Sequence, residues 1–151
     1  ENVVFKIAGG RNEARLKEFR RLARETGIPD GKLEILGRVT SAAEFIKGVD
    51  IGIIPSTGSE MICRVLMEFC AFAKPVLGSD VNAVGEVITK YEIGLTSPPG
   101  DADALADNIV KAVSDSKLVQ VFSENSQKAY ETHFTPALFA EKTAAFYASS
   151  C

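Results

Sequence analysis

The feature that most constrains this chain is an alternation of two periods. Short apolar runs (Val3-Val4-Phe5-Lys6-Ile7, Leu33-Glu34-Ile35-Leu36, Ile51-Gly52-Ile53-Ile54 and Pro75-Val76-Leu77) stand between longer segments of helical spacing. Runs this brief and this apolar read as parallel strands buried on both faces. Leu16, Phe19, Leu22, Ala23 and Thr26 recur at helical spacing, as do Ala102, Leu105, Ala106, Ile109, Val110 and Val113, and these mark amphipathic helices that pack on a sheet. A fifth, weaker strand is expected near Ile93-Gly94-Leu95-Thr96, and from about Asp101 to Cys151 only helices follow. Right-handed crossovers then leave an α/β fold, a Rossmann-like parallel sheet with helices on both faces and additional C-terminal helices. Helix starts are legible too: Ser41 with Glu44 forms a capping box, Asp101 opens a helix, and Thr135-Pro136 is an N-cap followed by proline.

At 151 residues, one domain over 1–151 is expected. The 17 Lys plus Arg against 20 Asp plus Glu give a net charge of −3, which argues against a dedicated nucleic-acid surface or an anionic-membrane surface. No apolar run approaches the ~20 residues that cross a bilayer. Glu1-Asn2 leads straight into the first strand without a signal-peptide pattern or an initiator Met, so a processed chain or a fragment is expected. Cys63, Cys70 and Cys151 are an odd set. Positions seven apart on a helix are ~10 Å apart along its axis, too far for a disulfide, so a reducing, cytoplasmic setting is expected.

In an open parallel sheet, ligands bind beyond the carboxyl ends of the strands. The loops there are Gly9-Gly10-Arg11, Gly37-Arg38-Val39, Pro55-Ser56-Thr57-Gly58-Ser59-Glu60, Gly78-Ser79-Asp80 and Ser97-Pro98-Pro99-Gly100, all rich in small residues. Such loops let a phosphate approach backbone amides and helix N-termini, although glycine also serves the turns of any α/β protein. Gly9-Gly10-Arg11-Asn12-Glu13 lacks the third glycine of the dinucleotide fingerprint, and no P-loop motif occurs, which disfavours a dehydrogenase and a P-loop NTPase.

The most informative stretch is Ser59-Glu60-Met61-Ile62-Cys63-Arg64-Val65-Leu66-Met67-Glu68-Phe69-Cys70. Read as a helix, it is apolar nearly all round except at Arg64 and Glu68, so burial on most sides is expected, with partners for both charges. Arg64 and Glu68 form an i,i+4 pair in one reading. In the other, Glu60 and Glu68, roughly 12 Å apart along the axis, meet the two ends of an elongated ligand.

Glu60-x7-Glu68 followed by Ala71-Phe72-Ala73-Lys74-Pro75-Val76-Leu77-Gly78-Ser79 resembles the signature of the retaining group-one glycosyltransferases (family four) of the GT-B fold. Phe5-Lys6-Ile7-Ala8-Gly9-Gly10, Leu36-Gly37-Arg38-Val39, Val49-Asp50-Ile51-Gly52-Ile53-Ile54-Pro55-Ser56, Glu86, Gly94-Leu95 and Pro99-Gly100-Asp101 follow the family's C-terminal, donor-binding domain in order. The resemblance implies a site for a UDP-, GDP- or ADP-sugar and neither a cofactor nor a metal. It places Glu60 beside the donor sugar, as the catalytic position, and Glu68 on the ribose hydroxyls. It sets Ser59 and the backbone of Met61, Ile62, Cys63, Arg64 and Val65 against sugar and diphosphate, Arg38 and Val39 against the base, and Gly9 and Gly10 at a close approach to phosphate or ribose.

This sequence also departs from the family pattern. Cys63 and Ala73 stand where the family commonly has glycine, and Arg64 where it has an apolar residue; Arg64 either pairs with Glu68 or reaches the diphosphate. The resemblance further implies an Arg and a Lys upstream of Val3 and an N-terminal acceptor-binding domain of the same chain, without which no turnover is expected. It also implies that the last helix, with Phe139, Phe146 and Tyr147, crosses back to that domain. His133 and the formal Asp-x-Asp of Asp101 and Asp103 read as structural, the latter as a cap. Competing readings are a non-catalytic Rossmann-like nucleotide-binding or regulatory domain and half of a nucleotide-sugar epimerase.

Overall fold

The computed structural model describes residues 3–9, 13–29, 31–58 and 61–149. The chain groups into two compact units, one through Phe45 and one from Ile46 onward.

In the first unit, β1 (Phe5–Ala8) and β2 (Leu33–Gly37) pair in parallel, with α1 (Glu13–Glu25) between them in sequence. Phe5 faces Leu33 and Ile7 faces Ile35, and the register slips between Ile7 and Ala8 so that Ala8 meets Gly37. The slip brings the Gly9 amide to the Gly37 carbonyl at 2.6 Å. Both glycines have positive φ, +113° and +64°, which a side chain would strain. Leu16 of α1 is buried and would press on a methyl group at Gly37, so helix and strand meet at a position that tolerates no bulk. α2 (Ala42–Lys47) starts as expected, with the Glu44 amide donating to Ser41 Oγ at 3.2 Å.

In the second unit, β3 (Gly52–Ile54), β4 (Val76–Ser79) and β5 (Gly94–Ser97) form a parallel sheet in that order. Between and after them come α3 (Arg64–Ala71), α4 (Asn82–Tyr91), α5 (Ala102–Ser114), α6 (Ser116–Ala129), a π-helical turn (Tyr130–Phe134) and α7 (Pro136–Ser149). Every residue of β4 is buried. Gly52 and Gly78 show how the helices cover one face: a methyl group at Gly52 would meet the Phe69 ring of α3 at 2.7 Å, and one at Gly78 would meet Ile88 and Val84 of α4 at 2.7 and 2.8 Å. Gly52 pairs with Val76 and Ile54 with Gly78, so both glycines look to the same side. Leu77 looks to the other side and is buried as well, where α5 packs on β4 and β5. The fold class is therefore as expected: parallel strands with helices on both faces.

The C-terminal helices close one end of this sheet. From α6, Ser123 Oγ donates to the Ala73 carbonyl (2.5 Å), Ser126 Oγ to the Lys74 carbonyl (3.1 Å) and Asn125 Nδ2 to the Glu92 carbonyl (2.9 Å). Those carbonyls immediately precede β4 and β5, so α6 crosses the amino ends of the strands and leaves the carboxyl ends clear. Nothing in the residue pattern announces these three bonds, since they depend on which helix end the chain returns to. Asp101, and Asp115 at the start of α6, cap their helices through bonds to the Ala104 and Leu118 amides, and Thr135 caps α7 through the Leu138 amide. α7 buries none of its residues, and Phe139, Phe146 and Tyr147 are exposed.

Two single substitutions should move stability in opposite directions. Ala73 follows α3 with φ +53°, so Ala73→Gly should stabilise by up to about 1 kcal/mol in chemical denaturation. Gly94→Ala should destabilise by more than about 3 kcal/mol, because the new methyl group would lie 1.7 Å from the Val76 carbonyl oxygen, inside the β4–β5 ladder.

Candidate functional site

The carboxyl end of the second unit's sheet is built from small residues whose backbones are mutually tied. Ser79 and Ser97 end β4 and β5 and are both buried, and the Asp80 amide donates to the Ser97 carbonyl at 2.8 Å. α3 and α4 open at this end, and among the described residues neither N-cap side chain, Cys63 or Val81, makes a capping bond. Helices α5 and α6 each have an aspartate there instead. A helix opening without a side-chain cap presents first-turn N–H groups and the positive end of its dipole to whatever acceptor approaches.

The expected helix over the Glu60–Cys70 stretch begins later than its apolar character implies. α3 starts at Arg64, and Cys63 has φ −94° and ψ 86°, outside helical values. Cys63 turns inward and is buried, while Met61 and Ile62 lie before the helix and are about three-quarters exposed, at 75% and 77%. Burial on most sides is therefore corrected. The face carrying Leu66, Phe69 and Cys70 is buried, whereas Arg64 and Val65 are exposed and Glu68 is half-buried. The physical reason is the tight packing of Phe69 on Gly52, which fixes one face of α3 on the sheet and turns the opposite face outward.

Met61, Ile62, Cys63, Arg64, Val65 and Glu68 thus form one continuous group at the start of α3. Arg64 Nε lies 3.6 Å from Glu68 Oε1, an i,i+4 ion pair. Gly9, Arg38 and Val39 belong to the first unit, where Gly9 and Gly37 join the ends of β1 and β2, Arg38 is exposed and Val39 half-buried. Gly10, Ser59 and Glu60 lie outside the described residues. Sequence reasoning noted the serines after β4 and β5 as small loop residues but not as buried strand ends.

His133 packs against Tyr91 with ring centroids 4.8 Å apart, beside Phe134. Among the described residues, no group of three or more His, Cys, Asp or Glu is arranged to hold a metal ion, and no helix is long and apolar enough to cross a membrane.

In an open parallel α/β sheet ligands bind beyond the carboxyl ends of the strands, and here that end is lined by small residues and by the start of α3. Comparison with known proteins makes the class specific: the profile of the group 1 glycosyl transferases matches residues 1–129, and the chain belongs to that family. A phosphatidyl-myo-inositol mannosyltransferase of Mycobacterium leprae is 34% identical over 88 residues, 57% of this chain and 24% of the relative. Among solved structures, Anabaena Alr3699/HepE in complex with UDP superposes with a TM-score of 0.89 at 20% identity, over 97% of this chain and 41% of that one. The C-terminal domain of a group 1 glycosyl transferase from Francisella tularensis superposes with a TM-score of 0.71 at 22% identity, over 83% of this chain and 65% of that one. The chain thus spans about a quarter of the mycobacterial relative's length and about two-fifths of the Anabaena protein's, and its fold matches a domain of GT-B glycosyltransferases.

Burial of α3 has a measurable consequence at Cys70, which is inaccessible and whose thiol is pushed up from 9.0 to about 12 by desolvation. In the unfolded chain this thiol ionises near its ordinary value, so above about pH 9 the unfolded state releases a proton that the folded state keeps. Stability should be insensitive to this group below pH 8 and should fall as pH rises from 9 towards 12, by up to about tenfold in the unfolding constant per pH unit. Denaturant titrations at pH 8 and pH 10 should show that Cys70→Ala removes this part of the pH dependence.

Proposed function

We propose that residues 1–151, both units together, are the C-terminal donor-binding domain of a retaining glycosyltransferase. The domain takes a UDP-, GDP- or ADP-sugar for transfer to a glycan or lipid-linked acceptor in polysaccharide, lipopolysaccharide or glycolipid synthesis. The observation that carries this reading is the opening of α3: a helix start without a side-chain cap at the carboxyl end of a parallel sheet, with the Glu68 carboxylate one turn in, in a chain of the group 1 family. The complexes of the Anabaena protein with UDP and with UDP-glucose support a nucleotide sugar as the ligand class.

In this reading, Glu68 accepts hydrogen bonds from the ribose hydroxyls, for which an ionised, half-buried acceptor is suited. The amides from Met61 to Val65 and the dipole of α3 receive the sugar and diphosphate, with Ser59 beside them. Glu60 orients the donor sugar at the reacting carbon. Arg38 and Val39 contact the base through their backbone, and Gly9 and Gly10 let phosphate or ribose come close. Neither a metal nor a cofactor takes part, because the charge of the leaving diphosphate is met by amides and cations. Transfer itself needs an N-terminal acceptor-binding domain of the same polypeptide, and the exposed Phe139, Phe146 and Tyr147 of α7 offer it an apolar face. By itself this domain binds donor and does not turn over. A cytoplasmic site of action is in keeping with the burial of Cys63 and Cys70, neither of which is in a disulfide.

Ligand-detected titration with UDP, GDP, ADP and their sugars tests the reading. One nucleotide should bind saturably, and Glu68→Ala should weaken it roughly ten- to a hundredfold, the range of hydrogen bonds to a charged acceptor. Absence of saturable binding by all of them, together with no effect of Glu68→Ala, would overturn it.

A further inference from the structure

Arg64 is not accounted for by the stability of the helix it begins. Its side chain is 89% exposed, so it contributes little packing, and among the described residues its ion pair is with Glu68, at a separation of 3.6 Å. Three physical arguments make that pair weak. It is long and water-facing, which limits such pairs to a factor of about two in an equilibrium. The basic residue precedes the acidic one by four positions, the less favourable order on a helix. A cation in the first turn also stands at the positive end of the dipole, where it is repelled. An incoming anion reverses the last term, since it adds charge of the sign that both Arg64 and the helix end attract.

We infer that Arg64 is an exchanging residue that makes the site prefer nucleoside diphosphates over nucleosides. It holds Glu68 in the unliganded chain. When the ribose hydroxyls take the carboxylate, it turns from Glu68 to the phosphates. The inference rests on the assignment of Glu68 to the ribose. It sets Arg64 in opposite roles for two ligands that share a ribose: for a neutral nucleoside it is a competitor for Glu68, and for a nucleoside diphosphate it is a contact.

The test is to measure affinities of the full chain for the matched pairs UDP and uridine, GDP and guanosine, and ADP and adenosine, in the natural protein, Arg64→Leu and Glu68→Gln. For the pair that binds, Arg64→Leu should weaken the diphosphate about tenfold or more, as for a lost charge-assisted contact. The same change should tighten the nucleoside by about twofold, as for loss of a weak surface pair, and should flatten the salt dependence of diphosphate binding. Adding Glu68→Gln should abolish the gain for the nucleoside. Parallel losses for nucleoside and diphosphate, or an unchanged diphosphate affinity, overturn the exchange while leaving the ribose assignment standing. No binding of any of the three pairs, or nucleoside binding insensitive to Glu68→Gln, overturns the ribose assignment and this inference together.

Discussion

The second unit is organised around the burial of β4. Val76, Leu77, Gly78 and Ser79 are enclosed by β3 and β5 at the edges, by α4 on one face and by α5 on the other. Such enclosure requires close approach, and glycine provides it where the elements meet: Gly52 beneath Phe69, Gly78 beneath Ile88 and Val84, and Gly94 against the Val76 carbonyl. These contacts fix α3 on the sheet and hence determine which of its residues look outward. The serines of α6 bind the carbonyls that lead into β4, so the amino end of the strand is covered as well. At the other, carboxyl end Ser79 is followed by α4, and α3 begins there.

Under the proposed function, this arrangement lets a mildly acidic chain serve a polyanionic ligand. Affinity in this reading comes from oriented amides, a helix dipole and one mobile arginine at a fixed place, and it requires no basic surface. α3 is adapted to this at some cost to itself: it has no side-chain cap, carries a cation at its first position and ends in Ala73 with a left-handed backbone. Each of these is a small local penalty, offset by Leu66, Phe69 and Cys70 packed in the core.

Much of this was legible in the sequence because it depends on local chemistry. The order of five strands and the caps at Ser41, Asp101 and Thr135 follow from period and capping. The start of α3 was not legible. Apolar residues from Met61 to Cys63 look like a helix continuing towards Glu60, but only Cys63 turns inward, and Met61 and Ile62 are held out by the turn that precedes the helix. Periodicity records which residues are apolar and not whether a partner element is there to cover them. The bonds from α6 to the loops before β4 and β5 were equally out of reach, because Ser123, Asn125 and Ser126 meet carbonyls more than thirty positions away. For the site, the chain shows where Glu68 sits and what it touches, whereas the pairing of ligand atoms with residues comes from chemical argument and family membership.

The central claim is that the ligand enters at the carboxyl ends of the strands, over the start of α3. Amide chemical-shift mapping of the full chain with a nucleoside diphosphate tests it most directly. The account predicts saturable shifts concentrated at Cys63, Arg64, Val65 and Glu68, with α6 undisturbed around Val121, Phe122 and Asn125, where a depression of about 480 Å³ lies beside α4 and β5. Shifts centred on that depression, with the start of α3 unchanged, would contradict it.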